Sequence, residues 1–139
     1  MSRMIFVNLP VKDLKASMAF YTALGFKNNP HFTDATAACM VLTEAINVML
    51  LTHEKWATFT TRPIPPSTSS EVAFALSSDD RAAVDAMIAA AAANGGQADV
   101  NPVMDLGFMY SRSLADLDGH VWEPMWMDPA AIPHPDKAA

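Results

Sequence analysis

Hydrophobic and polar residues alternate over residues 5–11, which predicts a β-strand. The aliphatic residues occupy every second position, and Phe6 and Asn8 lie between them. Since successive side chains of a strand point to opposite faces, Phe6 and Asn8 are expected on the face away from the aliphatic set. Asp13 then offers a helix N-cap, and apolar residues follow at spacings of three and four, so a helix is predicted over residues 14–24.

Three short apolar runs follow this helix and predict a meander of three strands. They cover residues 26–33, 37–43 and 46–52, and polar turn residues separate them. The first part of the chain therefore has the pattern β-α-β-β-β. Residues 53–70 lose this periodicity and are rich in proline and serine, which is typical of a connecting segment.

The same pattern recurs 67 residues further along the chain. Val72, Phe74 and Leu76 take the places of Ile5, Val7 and Leu9, and Asp80 takes the place of Asp13. A second helix is predicted over residues 80–93, and strands near 98–102, 108–115 and 120–126 follow it. The repeat predicts an α+β fold built from two βαβββ modules.

The chain has 139 residues, of which 51% are hydrophobic, and this length favours one core. We expect a single domain over residues 1–127. It comprises module one (4–52), a linker (53–70) and module two (71–127). The proline-containing tail at residues 128–139 is expected to be irregular.

The formal net charge of −6 argues against binding to nucleic acid or to an anionic membrane, because both would repel the protein. A small-molecule partner is the remaining expectation. The N-terminal residues have the pattern of neither a signal peptide nor a spanning segment, so a cytoplasmic location is predicted. Cys39 is the single cysteine, which excludes an intrachain disulfide.

Three pieces of sequence together resemble a known superfamily. They are Leu9–Tyr21 with Leu24-Gly25-Phe26, the helix exit Gly95-Gly96, and Asp116–Glu123, in which Leu117 stands where a proline is usual. On these residues the chain resembles the vicinal-oxygen-chelate superfamily, which includes glyoxalase I, extradiol dioxygenases and bleomycin-binding proteins. The resemblance covers about residues 4–127. It implies a curved mixed sheet around a cup, with the helices on the outer face.

Metal-dependent members of this superfamily hold their ion at four inward positions. The resemblance places these positions at Phe6, Leu50, Ala73 and Glu123, and the repeat pairs Phe6 with Ala73 and Leu50 with Glu123. A divalent metal needs three or more N, O or S ligands, whereas only Glu123 offers one. We therefore expect no metal site and no cofactor.

Several other side chains are candidates for the lining of the cup. Asn8 and Met125 share strand parity with Phe6 and Glu123, so they are predicted to contact a ligand. Tyr110 and Arg112 are two residues apart and share a face, but the sequence leaves open whether this face is that of the cup. Glu123 is interpreted either as a proton-transfer group or as an anion held by a neighbouring donor.

Two functions follow from this set of residues. The first is a glyoxalase/bleomycin-resistance-like binding protein, which holds a small aromatic or cationic compound in an apolar cup. The alternative is a lyase or isomerase of the lactoylglutathione-lyase type, with Glu123 as general base. A pure interaction module is the least supported interpretation. The superfamily's habit of pairing modules across chains also predicts a homodimer.

Overall fold

The computed structural model describes residues 2–131, so the predictions for residues 132–139 lie outside the described residues. Module one contains β1 (Ile5–Val11), α1 (Leu14–Ala23), β2 (Lys27–Asn29), β3 (Ala37–Val41) and β4 (Ile46–Thr52). The strands lie in the order β1-β4-β3-β2. β1 runs parallel to β4, and the other neighbouring pairs are antiparallel.

The second half repeats this topology. After the short helix α2 (His53–Ala57) it contains β5 (Ala73–Ser77), α3 (Arg81–Ala93), β6 (Gln97–Ala98), β7 (Met104–Asp105), β8 (Met109–Ser111), β9 (Leu114–Ala115) and β10 (Val121–Met127). β5 runs parallel to β10. β10 also pairs with β8 and with β9. β8 pairs in turn with β7, and β9 pairs with β6. The predicted α+β fold with two βαβββ modules is confirmed.

Local sequence signals begin and end both long helices. The carboxylate of Asp13 accepts the N–H of Ala16 at 3.0 Å, and that of Asp80 accepts the N–H of Ala83 at 2.7 Å. After α3 the chain passes through Gly95, whose φ of +92° is in the left-handed region that glycine tolerates.

The strand predicted over residues 98–102 is wrong. β6 ends at Ala98 because Asp99 adopts a φ of +53°, which turns the chain out of the strand. The N–H of Asp99 donates to the carbonyl of Ser113, and pairing resumes only at β7. The connecting segment also differs from its prediction, since it begins with α2, capped by the hydroxyl of Thr52.

The helices cover one face of each sheet, and we call the opposite face the open face. Val48 and Leu50 of β4 are fully buried in the core beneath the helices, together with Leu9 of β1. Leu50 therefore does not lie on the open face, where the sequence prediction placed it. Alternation places its neighbours Met49 and Leu51 there instead.

A buried polar cluster joins the two modules. The Tyr21 hydroxyl on α1 donates to the carboxylate of Asp116 at 2.5 Å and accepts the indole N–H of Trp122 at 3.0 Å. The other oxygen of Asp116 accepts the backbone N–H groups of Asp118 and His120. The same contact brings Phe20 against Gly96, where an added β-carbon would lie 2.7 Å from the ring. Both modules therefore share one core.

Burial sets the protonation of this cluster. It raises the pKa of Tyr21 well above its usual 10.0, and the nearby charge of Asp116 raises it further. The pKa of Asp116 is also raised, chiefly because its carboxyl is buried. The neutral phenol of Tyr21 therefore stabilises the fold fully below pH 10, and this contribution is lost as the pH rises through the folded-state pKa.

We predict that Tyr21→Phe lowers the free energy of unfolding by about 1–3 kcal/mol at neutral pH, because Asp116 and Trp122 lose a buried hydrogen-bond partner. Above about pH 10, the free energy of unfolding of the variant should also fall less steeply with pH than that of the wild type. Urea unfolding monitored by tryptophan fluorescence at several pH values measures both effects. Tyr110→Phe is the comparison variant, since it also removes a hydroxyl that donates to an aspartate, but a far less buried one, so a smaller loss is expected. A neutral-pH stability equal to wild type would contradict the prediction.

Candidate functional site

The centre of the open face in module two is occupied by Glu123. Trp122 and Pro124 of β10 are buried beneath the helices, so Glu123 and Met125 project to the other side. Glu123 pairs across the sheet with Ala75 of β5, whose small side chain leaves the carboxylate half-buried rather than covered. The strand register places Ser113 on the other side of Glu123.

The carboxylate of Glu123 forms no hydrogen bond or ion pair with any residue from 2 to 131. Ser113 does not donate to it, because the Ser113 hydroxyl is engaged with the backbone of Asn101. A carboxylate in such a place is free to accept a hydrogen bond or to pair with a cation from outside the chain.

The predicted partner of Glu123 lies on the wrong side of the sheet. The guanidinium of Arg112 extends over the helical face, where it forms ion pairs with Asp85 at 2.9 Å and with Asp99 at 2.7 Å. Tyr110 shares this face, and its hydroxyl donates to Asp85 at 2.6 Å. Neither Tyr110 nor Arg112 can therefore line the cup from this position.

Arg112 lowers the pKa of both aspartates that it contacts. The hydrogen bonds from Arg112 are the main cause for Asp99, whereas the Tyr110 hydroxyl contributes most for Asp85. Arg81 extends the cluster by packing over the rings of Tyr110 and Trp126. This network gives Tyr110 and Arg112 a structural role, since together they fasten α3 to the sheet.

Phe6 and Asn8 lie on the open face of module one. Both are exposed, and they alternate with the core residues Val7 and Leu9. Ala73 and Met125 lie on the open face of module two. The two sets belong to separate sheets, because β1 pairs only with β4 and β5 only with β10 within residues 2–131.

The register identifies a residue that the sequence prediction missed. Asn8 pairs with Met49 just as Ala75 pairs with Glu123, so Met49 is the counterpart of Glu123 in module one. The four equivalent positions are therefore Phe6, Met49, Ala73 and Glu123. They offer one carboxylate and one weakly coordinating thioether, and this donor set does not fit a divalent metal. Within the described residues, no group of three or more His, Cys, Asp or Glu side chains has the geometry to hold a metal ion.

A cavity of about 690 Å³ adjoins the open face of module two. Its floor includes Ala73 and Val121, which pair on neighbouring strands. The linker forms one wall, and the segment after Asp99 forms another through Asn101. The ionisable residues among its lining are Glu71 and Asp116, both acidic. We call this cavity the acidic cavity.

The N-terminal part of the chain matches a known family in sequence. Residues 3–42 fit the family described as "Bleomycin resistance protein-like N-terminal". This match covers most of the first βαβββ module. No curated protein matches the chain significantly in sequence.

Solved structures match nearly the whole chain. A hypothetical protein from S. aureus is 26% identical with a TM-score of 0.75, over 91% of this chain and 95% of that one. A glyoxalase/bleomycin resistance protein/dioxygenase family enzyme from Burkholderia phytofirmans is 19% identical with a TM-score of 0.73, over 91% and 99%. The chain therefore has the fold of the vicinal-oxygen-chelate superfamily.

The likeness extends to a resistance protein. A fosfomycin resistance protein from Listeria monocytogenes is 15% identical with a TM-score of 0.65, over 100% of this chain and 99% of that one. At this identity the likeness shows the superfamily fold alone.

No helix within residues 2–131 is long and apolar enough to cross a membrane.

We predict that Arg112→Ala lowers the thermal midpoint by a few degrees and leaves ligand binding on the open face unchanged, because the side chain acts on the helical face. The difference in thermal midpoint between wild type and variant should shrink below about pH 4, since protonation of Asp85 and Asp99 weakens the same ion pairs in the wild type. Differential scanning fluorimetry across pH measures this. A variant that keeps its midpoint but loses ligand affinity would place Arg112 in the site after all.

Proposed function

We propose that the protein is a binding protein of the glyoxalase/bleomycin-resistance type, which holds a small cationic or aromatic molecule on its open face. The observation that carries the proposal is the carboxylate of Glu123, which stands half-buried on an otherwise small or apolar surface without a protein partner among residues 2–131. A ligand cation would satisfy this charge, and the partial burial of the carboxylate would strengthen the pair.

The acidic cavity supports the same ligand class. Glu71 is the exposed acid of its lining, since Asp116 is buried and engaged by Tyr21 and the backbone. The whole chain also carries a net charge of −6, so cations are favoured over anions near this face. Phe6 and Met125 add apolar surface on which an aromatic ring can pack. The names of several superfamily neighbours combine glyoxalase, bleomycin resistance and dioxygenase, which is consistent with binding as well as with catalysis.

The second candidate is a lyase or isomerase in which Glu123 is the general base. Its support is the same unpartnered carboxylate, which is free to accept a proton from a bound substrate. Asn8 is an amide that can hydrogen-bond to a substrate oxygen once the two open faces lie together. Because the donor set of the open face does not fit a divalent metal, the proton transfer in this candidate relies on side chains alone.

We expect Glu123→Gln to weaken the binding of bleomycin or another cationic aromatic compound about tenfold or more, because the change removes the charge and keeps the shape. Isothermal titration calorimetry of a panel of cationic aromatic compounds measures this. Glu44→Gln is the matched control, since it removes the same charge from an exposed turn between β3 and β4.

Three outcomes separate the two candidates. Weaker binding in Glu123→Gln alone supports the binding protein. Loss of turnover of a thiol-conjugate substrate with binding retained supports the lyase or isomerase. Equal affinity in wild type, Glu123→Gln and Glu44→Gln would rule out Glu123 as the ligand-binding anion.

A homodimer is part of this proposal. β1 and β5 each have one edge without a partner strand within residues 2–131. Apolar side chains at these strands are about half exposed, namely Ile5 and Phe6 on β1 and Val72 just before β5. A second copy would cover these edges and bring the open face of module one against that of module two. Light scattering coupled to size-exclusion chromatography should therefore give about twice the chain mass of 15.0 kDa. A monomer at micromolar concentration would contradict this part.

A further inference from the structure

A second cavity lies on the far side of the linker from the acidic cavity. It has a volume of about 350 Å³ and is formed where the end of β1, the start of α2, the linker and the hairpin between β9 and β10 meet. We call it the junction pocket. Its ionisable lining residues are Lys12, His53, Asp118 and His120, and its apolar lining includes Ile64 and Leu117.

The single acid of the junction pocket is already engaged by the protein. Asp118 accepts the backbone N–H of Lys12 at 2.8 Å through one carboxylate oxygen and the hydroxyl of Ser17 at 3.4 Å through the other. Neither the ammonium of Lys12 nor the ring of His53 has an ion-pair partner among residues 2–131. The groups left over for a ligand are therefore two hydrogen-bond donors, the ammonium of Lys12 and the ring N–H of His53.

His120 is fixed in place at the edge of this pocket. Its Nε2 lies 2.8 Å from the carbonyl oxygen of Pro10. A carbonyl only accepts hydrogen bonds, so Nε2 carries the proton and donates it. This contact ties the second module to the end of β1 at the wall of the pocket.

The two cavities differ in their ionisable lining. The acidic cavity has two acids, Glu71 and Asp116, whereas the junction pocket has one cation, Lys12, one acid, Asp118, and two histidines. They are separated by the contact of Ser67 with Gly119, and both of these residues line both cavities. The junction pocket thus offers an ammonium and imidazole N–H donors, which the lining of the acidic cavity lacks. This difference in donors points to a ligand different from that of the open face.

We propose that the junction pocket is a second binding site, which takes a small organic carboxylate. Lys12 and His53 donate hydrogen bonds to the carboxylate, and Ile64 and Leu117 contact a compact apolar body attached to it. The volume is near the lower end of the range for small-molecule sites, so a single ring fits better than a larger ligand.

The test is an NMR titration of the full chain with benzoate, recorded on the backbone amides and the histidine rings. Benzoate should cause saturable shifts at Lys12, His53 and Gly119. Lys12→Gln and His53→Gln should each weaken its binding about tenfold, the effect of losing one charge-assisted hydrogen bond. Both side chains are exposed, so both variants should fold. Lys15→Gln and His31→Gln are the matched controls, because both residues lie outside the pocket.

Other ligands and variants decide between explanations. Benzamide, which lacks the charge, should bind at least tenfold more weakly than benzoate, and equal binding would overturn the anion site. If inorganic phosphate binds and benzoate does not, the proposed contact of Ile64 and Leu117 with an apolar ligand body is wrong. Benzoate shifts confined to Ala73 and Val121, or no saturable shift at millimolar benzoate, would overturn it entirely. Glu123→Gln should leave benzoate binding unchanged, so this site stands or falls independently of the open-face ligand.

Discussion

The Asp116 carboxylate holds the two halves of this protein in register. It lies in a largely apolar core, where a charge without partners would be strongly unfavourable, and each of its oxygens accepts donors from the protein. One donor, Tyr21, comes from the first module, and the others belong to the hairpin that leads into β10. The carboxylate therefore fixes the start of β10 relative to α1. The direction of every side chain along β10, including Glu123, follows from that start.

The two modules share a topology but differ in the chemistry of their open faces. Phe6 and Met49 make the first face apolar at the positions where the second face has Ala73 and Glu123. A single carboxylate among neutral neighbours is a poor metal ligand set and a good counter-ion for one cation.

Much of the fold and part of the site could be predicted from the sequence. The aspartate caps of α1 and α3 and the alternation in β1 each have a local cause, so they were visible in the sequence. Leu50 could not be placed, because Val48-Met49-Leu50-Leu51 is apolar on both faces and has no period to set the register. Tyr110 and Arg112 could not be placed either, since the partners that hold them come from α3 and from the turn at Asp99. The cavities depend on an aperiodic linker and were beyond prediction.

Gly119 shows how tightly that linker is seated. A β-carbon at this position would collide with the carbonyl oxygen of Ser67, and the φ of +87° is itself unfavourable for other residues. Position 119 is therefore closed to substitution for two separate reasons, one in the hairpin and one in the linker. A side chain there would displace Ser67, the wall common to both cavities. Substitution of Gly119 would therefore change the shape of both cavities at once, although a glycine contributes no side chain to either.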